Sequence, residues 1–203
     1  CPSLSYTAPH CQHPVSYRRG PKIKIGFVSH FFKNHTIGAV TKGIIANLSR
    51  NQFQVHVFFG SSAGDETAQF IQQHADYSEN LSPVLEMARQ QIAAQQLDVL
   101  FYSDIGMAPW SYFLAFARLA PVQCVIYGHP VTTGIPTVDY FLSTRDLEVA
   151  EVAEANSHYS EKLVCFTRPP IFYYKPLLPP LLKTRQDFGL SNTSHLYVCP
   201  QTL

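Results

Sequence analysis

The chain has 203 residues, 46% of them apolar, which is enough for a packed core and excludes a globally disordered protein. Its formal net charge is +1, so no broad basic surface is expected and binding to nucleic acid through phosphate neutralisation is unsupported. The cysteines Cys1, Cys11, Cys124, Cys165 and Cys199 form no C-x-x-C pair, which points to free thiols in a reducing, cytoplasmic setting. The histidines show neither H-x-x-x-H nor H-E-x-x-H spacing, and His10, Cys11 and His13 have no second ligand pair nearby, so no metal is expected. No apolar run reaches the length of a membrane span and no signal-peptide pattern opens the chain, so no membrane partner is expected.

Residues 1–20 are rich in Pro, Ser, Tyr and His without apolar periodicity and read as a linker or arm. The basic run Arg18, Arg19, Lys22 and Lys24 reads as a solvated approach to the first strand. That strand, Lys22 to Ser29, alternates and then becomes continuously apolar, as strands of parallel sheets do. Phe31 to Thr36 is its loop, and apolar residues at helical spacing predict a helix from Ile37 to Leu48. Gln54 to Phe59 is a second strand, Asp65 opens a helix, and Leu85 to Ala94 is another. Leu97 to Ser103 is a central strand, and Pro109 starts a helix through Arg118, proline being well tolerated in a first turn. Strands follow at Val122 to Tyr127, Val138 to Ser143 and Lys162 to Phe166, with a short acidic helix from Glu148 to Asn156. Strands alternating with helices imply an α/β fold: a Rossmann-like, doubly wound parallel sheet over residues 21–167. No G-x-G-x-x-G follows the first strand, where Gly26 stands alone, so an ordinary dinucleotide site is not indicated.

Residues 168–187 are proline-rich and aromatic and read as an extended connector. Residues 188–203 read as the start of a second domain, with Phe188 to Leu190 and HLYVC from His195 to Cys199 as its first strand. Both ends look cut on this reading, the chain opening at Cys1 and stopping at Leu203 inside an apolar run.

The richest segment is Ala120 to Pro136. A buried strand breaks into a loop of Gly128, His129, Pro130, Thr132, Thr133 and Gly134. Ligands of open α/β sheets sit just past the carboxyl ends of strands. A glycine admits close backbone approach there, and the two threonines offer donors and acceptors to a sugar or phosphate. The same residues also suit an ordinary tight turn. Asp104, ending the central strand, either faces the same crevice or caps the helix that begins near Pro109.

Four stretches carry a resemblance: KIKIGFVSHFFKNH (Lys22 to His35), LDVLFYSDIG (Leu97 to Gly106), Ala120 to Ser143 with its G-x-P-x-T-[TS]-G loop, and HYSEKLV (His158 to Val164). They resemble the amino-terminal lobe of the O-linked N-acetylglucosamine transferase family, in particular bacterial members with upstream tetratricopeptide repeats. The resemblance implies a GT-B fold of two Rossmann-like lobes, here with the carboxyl-terminal lobe missing. It implies a nucleotide sugar, UDP-N-acetylglucosamine, as donor substrate, a Ser or Thr hydroxyl of a protein or peptide as acceptor, and no further cofactor.

By position His35, preceded by Asn34, matches an active-site histidine of that family. An imidazole that titrates near working pH can donate or accept a hydrogen bond where a diphosphate departs. The structural alternative is a loop histidine capping the next helix. Gly128 and Pro130 match the family's loop against the donor sugar, and His129 stands where the family often carries an aromatic. Thr132 and Thr133 are implied contacts to sugar or diphosphate, and Asp104 lines the crevice. Phe31 stands where some members have an aspartate, and the arm around His10 and His13 lacks the family's upstream histidine motif. Those departures favour a second reading, a glycosyltransferase-like module that binds peptide or sugar without turnover. Asp139 is expected to hold the loop, and Tyr159 to Lys162 to lead structurally into a strand. The diphosphate-binding lysine of the family is expected beyond Leu203, so this piece alone is expected to be inactive.

Overall fold

Alternation of side chains, apolar on both faces, drives the central elements of the chain into a sheet buried on two sides. The computed structural model describes residues 5–12, 20–62, 64–126, 128, 131–148, 151–178 and 180–199. Its elements are β1 (Tyr6–Thr7), β2 (Ile23–Ser29), α1 (Thr36–Asn47), β3 (Phe53–Phe59), α2 (Glu66–His74), β4 (Tyr77–Asn80), α3 (Leu85–Ala94) and β5 (Val99–Tyr102). These are followed by α4 (Pro109–Leu114), β6 (Ala117–Arg118), β7 (Val122–Ile126), β8 (Tyr140–Thr144), α5 (Val152–Asn156) and β9 (Lys162–Phe166).

Seven strands form one sheet in the order β4-β3-β2-β5-β7-β8-β9, and every pairing is parallel. Phe27 of β2 pairs with Val57 on one side and Phe101 on the other. Phe27, Val57, Phe59, Phe101, Cys124 and Ile126 point to one face, where α1 and α2 cover them with Ile37, Ile45, Ala68 and Ile71. Val28, Phe58, Leu100, Tyr102 and Val125 point to the other, under Ala88, Ile92, Leu114 and Ala155 of α3, α4 and α5. Strand order reverses between β2 and β5, the switch point at which doubly wound sheets open a crevice beyond their carboxyl ends.

The α/β, doubly wound parallel fold expected from the sequence is present, with four local differences. Residues in the amino-terminal arm are not all irregular: β1 pairs parallel with β6, Ala8 N–H donates to Arg118 O at 2.8 Å, and Ala8 and His10 are buried. That pairing explains why the helix from Pro109 stops at Leu114 instead of reaching Arg118, since Ala117 and Arg118 turn their backbone to β1. The edge strand β4, YSEN, has no apolar alternation to announce it and is held by register with His56 to Phe59. Residues 195–199 form no strand; a strand needs a neighbour to take its backbone groups, and these residues are exposed. Tyr127 and residues 149–150 lie outside the described residues.

One compact unit runs to Tyr173, so the first residues of the expected connector belong to it. Phe172 N–H donates to Val40 O at 3.2 Å, and Ile171 packs on the α1 face of the core. Residues 174–203 make a second unit. Within it a single turn of 3₁₀ helix, Gln186–Phe188, is closed by Gly189 at φ 67°, and Asp187 accepts from the Thr184 N–H at 2.6 Å.

Candidate functional site

The crevice is built from the exits of β2, β5 and β7. Asp104, the second residue past β5, is fully buried, and its carboxylate accepts the His30 N–H at 2.9 Å, tying the central strand's exit to the first strand's. It does not cap α4, whose cap position is Ala108 with no side-chain hydrogen bond. Burial pushes the Asp104 carboxyl up, while the His30 N–H and the Ser29 and Ser111 hydroxyls pull it down; the net direction is upward. From β3's exit, the Ser61 hydroxyl donates to His30 O at 2.8 Å. Ser29 Oγ accepts the Phe31 N–H at 2.8 Å, which bends the chain sharply out of the sheet. Asp104 Oδ1, His30 Nδ1, Ser103 Oγ and Trp110 Nε1 are buried here with no hydrogen-bond partner among the described residues.

His35 is the N-cap of α1. Its Nδ1 accepts the Ile37 N–H at 3.1 Å, and its ring lies on Phe31 with centroids 4.5 Å apart. The capping role and the crevice position therefore coincide. A ring nitrogen that accepts a backbone N–H carries no proton, so the neutral ring bears its hydrogen on Nε2. Burial and then the Lys33 charge hold the His35 pKa below the usual histidine value, favouring that neutral form. Asn34 is exposed beside it, with its backbone N–H donated to Asp65 Oδ2 at 2.6 Å. Asp65 also caps α2 through Ala68 N–H at 2.9 Å, so one carboxylate joins the loop to a second helix. Gly38 completes the fit: a Cβ there would lie 2.2 Å from the Lys33 carbonyl oxygen.

Gly128 closes the third side. A Cβ on it would stand 2.6 Å from the Ser103 carbonyl oxygen and 3.1 Å from Ile37 Cδ1, so only glycine lets β7's exit lie against β5's exit and the first turn of α1. A cavity of about 190 Å³ opens there, lined by Thr36, Ile37, Val40, Ile126, Gly128, Ile171 and Tyr173. His35, Asp104 and Gly128 thus share the carboxyl edge of the sheet. His129 and Pro130 lie outside the described residues. Thr132 and Thr133 instead turn their hydroxyls to Glu161, Thr132 at 2.8 Å, and the Thr133 N–H joins them at 2.9 Å. Asp139 takes both Arg118 guanidinium nitrogens and the Gln123 N–H at 2.7 Å, holding the approach to β8 as expected.

A larger cavity, about 290 Å³, lies at the opposite, amino edge of the sheet among Lys22, Lys24, Gln54 and Asp98. It holds none of the expected site residues, and Lys24 donates its backbone N–H to the Asp98 carboxylate and its Nζ to the Gln95 carbonyl. Among the described residues no group of three or more His, Cys, Asp or Glu is gathered to hold a metal ion. Nor is any helix among them long and apolar enough to cross a membrane.

The sequence pattern of Glycosyl transferase family 41 matches residues 5–174. The chain belongs to this family. It is 25% identical over 169 residues to a UDP-glucose:protein N-beta-glucosyltransferase of Actinobacillus pleuropneumoniae serotype 5b (strain L20), covering 82% of this chain and 26% of that protein. It is 28% identical over 198 residues to a probable UDP-N-acetylglucosamine–peptide N-acetylglucosaminyltransferase of Arabidopsis thaliana, covering 92% of this chain and 20% of that one. The fold of an O-GlcNAc transferase mutant of Thermobaculum terrenum superposes with a TM-score of 0.67 at 19% identity, over 83% of this chain and 32% of that one. The family 41 chain described here spans about a quarter of the length of the curated relatives it matches.

Two residues of the family 41 crevice escape sequence reasoning. His30 was hidden in the strand's exit, and its neighbour Trp110 comes from a helix eighty residues later. Glu161 sits in a stretch that reads as a lead into β9, and nothing local marks it as the anchor of a loop 28 residues earlier.

Proposed function

We propose that this chain is the acceptor-side lobe of a UDP-sugar-dependent protein glycosyltransferase, with a second lobe supplying the contacts to uridine and diphosphate. The observation that supports the reading is the placement of His35, Asp104 and Gly128 beyond the carboxyl ends of β2, β5 and β7 in a family 41 chain, with Gly128 packed against Ser103 and against Ile37 of the helix that His35 caps. The acceptor hydroxyl attacks the sugar's anomeric carbon and the bond to the diphosphate oxygen breaks as the new one forms, so that UDP leaves and the hydroxyl's proton passes to a diphosphate oxygen or to water. Negative charge then grows on the departing diphosphate. The Nε2–H of His35 is a donor suited to that charge, and the N-terminal turn of α1 adds partial positive charge beside it. With Nδ1 given to Ile37, this histidine serves better as a donor to the leaving group than as the base for the acceptor. The sugar is N-acetylglucosamine or another hexose such as glucose, and the acceptor a Ser or Thr hydroxyl, with no cofactor beyond the donor. The setting we propose is cytoplasmic, in keeping with the free thiols of Cys11, Cys124, Cys165 and Cys199.

The test is transfer of labelled sugar from UDP-N-acetylglucosamine and from UDP-glucose into a peptide library by the full-length gene product. His35→Ala should lower turnover by roughly 10²-fold and cost about 1 kcal/mol of stability through the lost cap. His35→Asp restores a capping side chain but, as a carboxylate, has no donor at all, so its stability should return while its turnover stays low. Equal turnover in wild type and His35→Asp would remove the donor role.

A further inference from the structure

Glu161 is almost fully buried, at 3% exposure, yet no positive side chain pairs with it among the described residues. What it collects instead is one loop. Thr132 donates its hydroxyl to Oε2 at 2.8 Å. The Thr133 hydroxyl and the Thr133 N–H, the latter at 2.9 Å, both donate to Oε1. Further links feed the same carboxylate. Gly134 N–H donates to Ser160 Oγ at 3.0 Å, and Ser160 Oγ lies 2.7 Å from Thr132 Oγ1. Ile135 N–H donates to Thr133 Oγ1 at 3.1 Å, and Ser160 N–H to Thr132 Oγ1 at 2.8 Å.

The donors are arranged in series and all end on the carboxylate. Thr133 Oγ1 receives the Ile135 N–H, Ser160 Oγ the Gly134 N–H, and Thr132 Oγ1 both the Ser160 N–H and the Ser160 hydroxyl; each hydroxyl passes its own proton toward Glu161, so the network is polarised in one direction. Only an ionised acceptor closes it, because a protonated or amide side chain would bring a donor where donors already point. Burial alone would raise the Glu161 pKa, but the Thr133 and Thr132 hydroxyls and backbone N–H groups outweigh it and hold the group below the ordinary glutamate value. The loop so fixed, residues 132–135, follows in sequence from Gly128, whose backbone lies against Ser103 and Ile37 at the carboxyl edge.

We propose that Glu161 is a positioning residue: as a buried carboxylate it locks residues 132–135 into one conformation and thereby sets the rim of the crevice on the Gly128 side. The proposal rests on the reading of that crevice as the sugar-transfer site. It also gives Thr132 and Thr133 a different employment from direct ligand contact, since their protons are committed to Glu161. The strength of the hold comes from three charge-assisted hydrogen bonds to one group, each stronger than a neutral one.

The experiment compares wild type, Glu161→Gln and Glu161→Asp in the full-length gene product. Two readouts are taken: steady-state sugar transfer, and amide hydrogen exchange at Thr133, Gly134 and Ile135. In Glu161→Gln, exchange at these amides should speed up while core amides of β2 and β5 keep their protection. Its kcat per folded molecule should fall about tenfold, because a rim displaced by a fraction of an ångström misplaces the reacting groups. Glu161→Asp, which keeps the charge, should recover part of both. If Glu161→Gln does not fold, Thr132→Val cuts one hydroxyl link and should show the same pattern at smaller amplitude. Unchanged loop exchange in the Gln variant would overturn the proposal, as would faster exchange with kcat and KM both unaltered. A wild-type protein that transfers no sugar would count against the transfer reading instead, and loop exchange would still decide whether Glu161 holds the rim.

Discussion

His35 uses its two ring nitrogens for different ends: Nδ1 satisfies an orphan N–H of α1, which leaves Nε2 carrying the proton as a donor. Sequence reasoning left open whether this histidine caps a helix or serves a site, and the geometry makes the first a means to the second, because the cap fixes the tautomer. The opposite case is His56. Both its ring nitrogens are buried without a partner among the described residues, between Phe58 and Tyr77. Burial, with the Lys24 charge adding to it and Asp76 opposing, lowers its pKa to about 4. A lowered folded pKa means that the unfolded chain binds the proton more readily. The stabilising contribution is therefore complete above the unfolded value near 6.5 and is lost as pH falls toward about 4. Urea unfolding at pH 7 and pH 4.5 should show wild type losing on the order of 2–3 kcal/mol more than His56→Phe over that interval. Equal losses in the two proteins would show that His56 is not the group responsible.

Elements that carry their own period were legible in the sequence. Both termini of α3 match the expected Leu85 to Ala94, and α1 begins one residue before the expected Ile37. Elements that exist only through a distant partner were not: β4 borrows its order from β3, and β6 from β1 over a separation of more than a hundred residues. The same distinction runs through the site. Strand exits and glycines announce a crevice, whereas the hydrogen bonds from Asp104 to His30 and from Thr133 to Glu161 depend on which strands become neighbours. At the scale of α1, its first turn is seated against the loop through Gly38. Gly38→Ala places a methyl against the Lys33 carbonyl and should cost about 1–3 kcal/mol, visible as a lowered thermal midpoint. Because the displaced loop carries His35, turnover per folded molecule should fall too. A variant as stable and active as wild type would mean that the loop is not seated on the helix as described.

The whole unit to Tyr173 is a sheet covered on both faces, with one edge of strand ends given to polar loops. Burial on both sides leaves the carboxyl edge as the place where backbone groups at the switch point meet solvent. A cavity of about 190 Å³ opens at that edge, while the larger one lies at the far edge. On the proposed function, the carboxyl-edge crevice receives the UDP-sugar. Hydrogen exchange of the full-length gene product, with and without UDP-N-acetylglucosamine or UDP-glucose, tests it most directly. New protection is expected at His35 to Gly38, Ser103 to Asp104 and Gly128 to Ile135. Protection confined to Lys22, Lys24, Gln54 and Asp98 at the amino edge would contradict it.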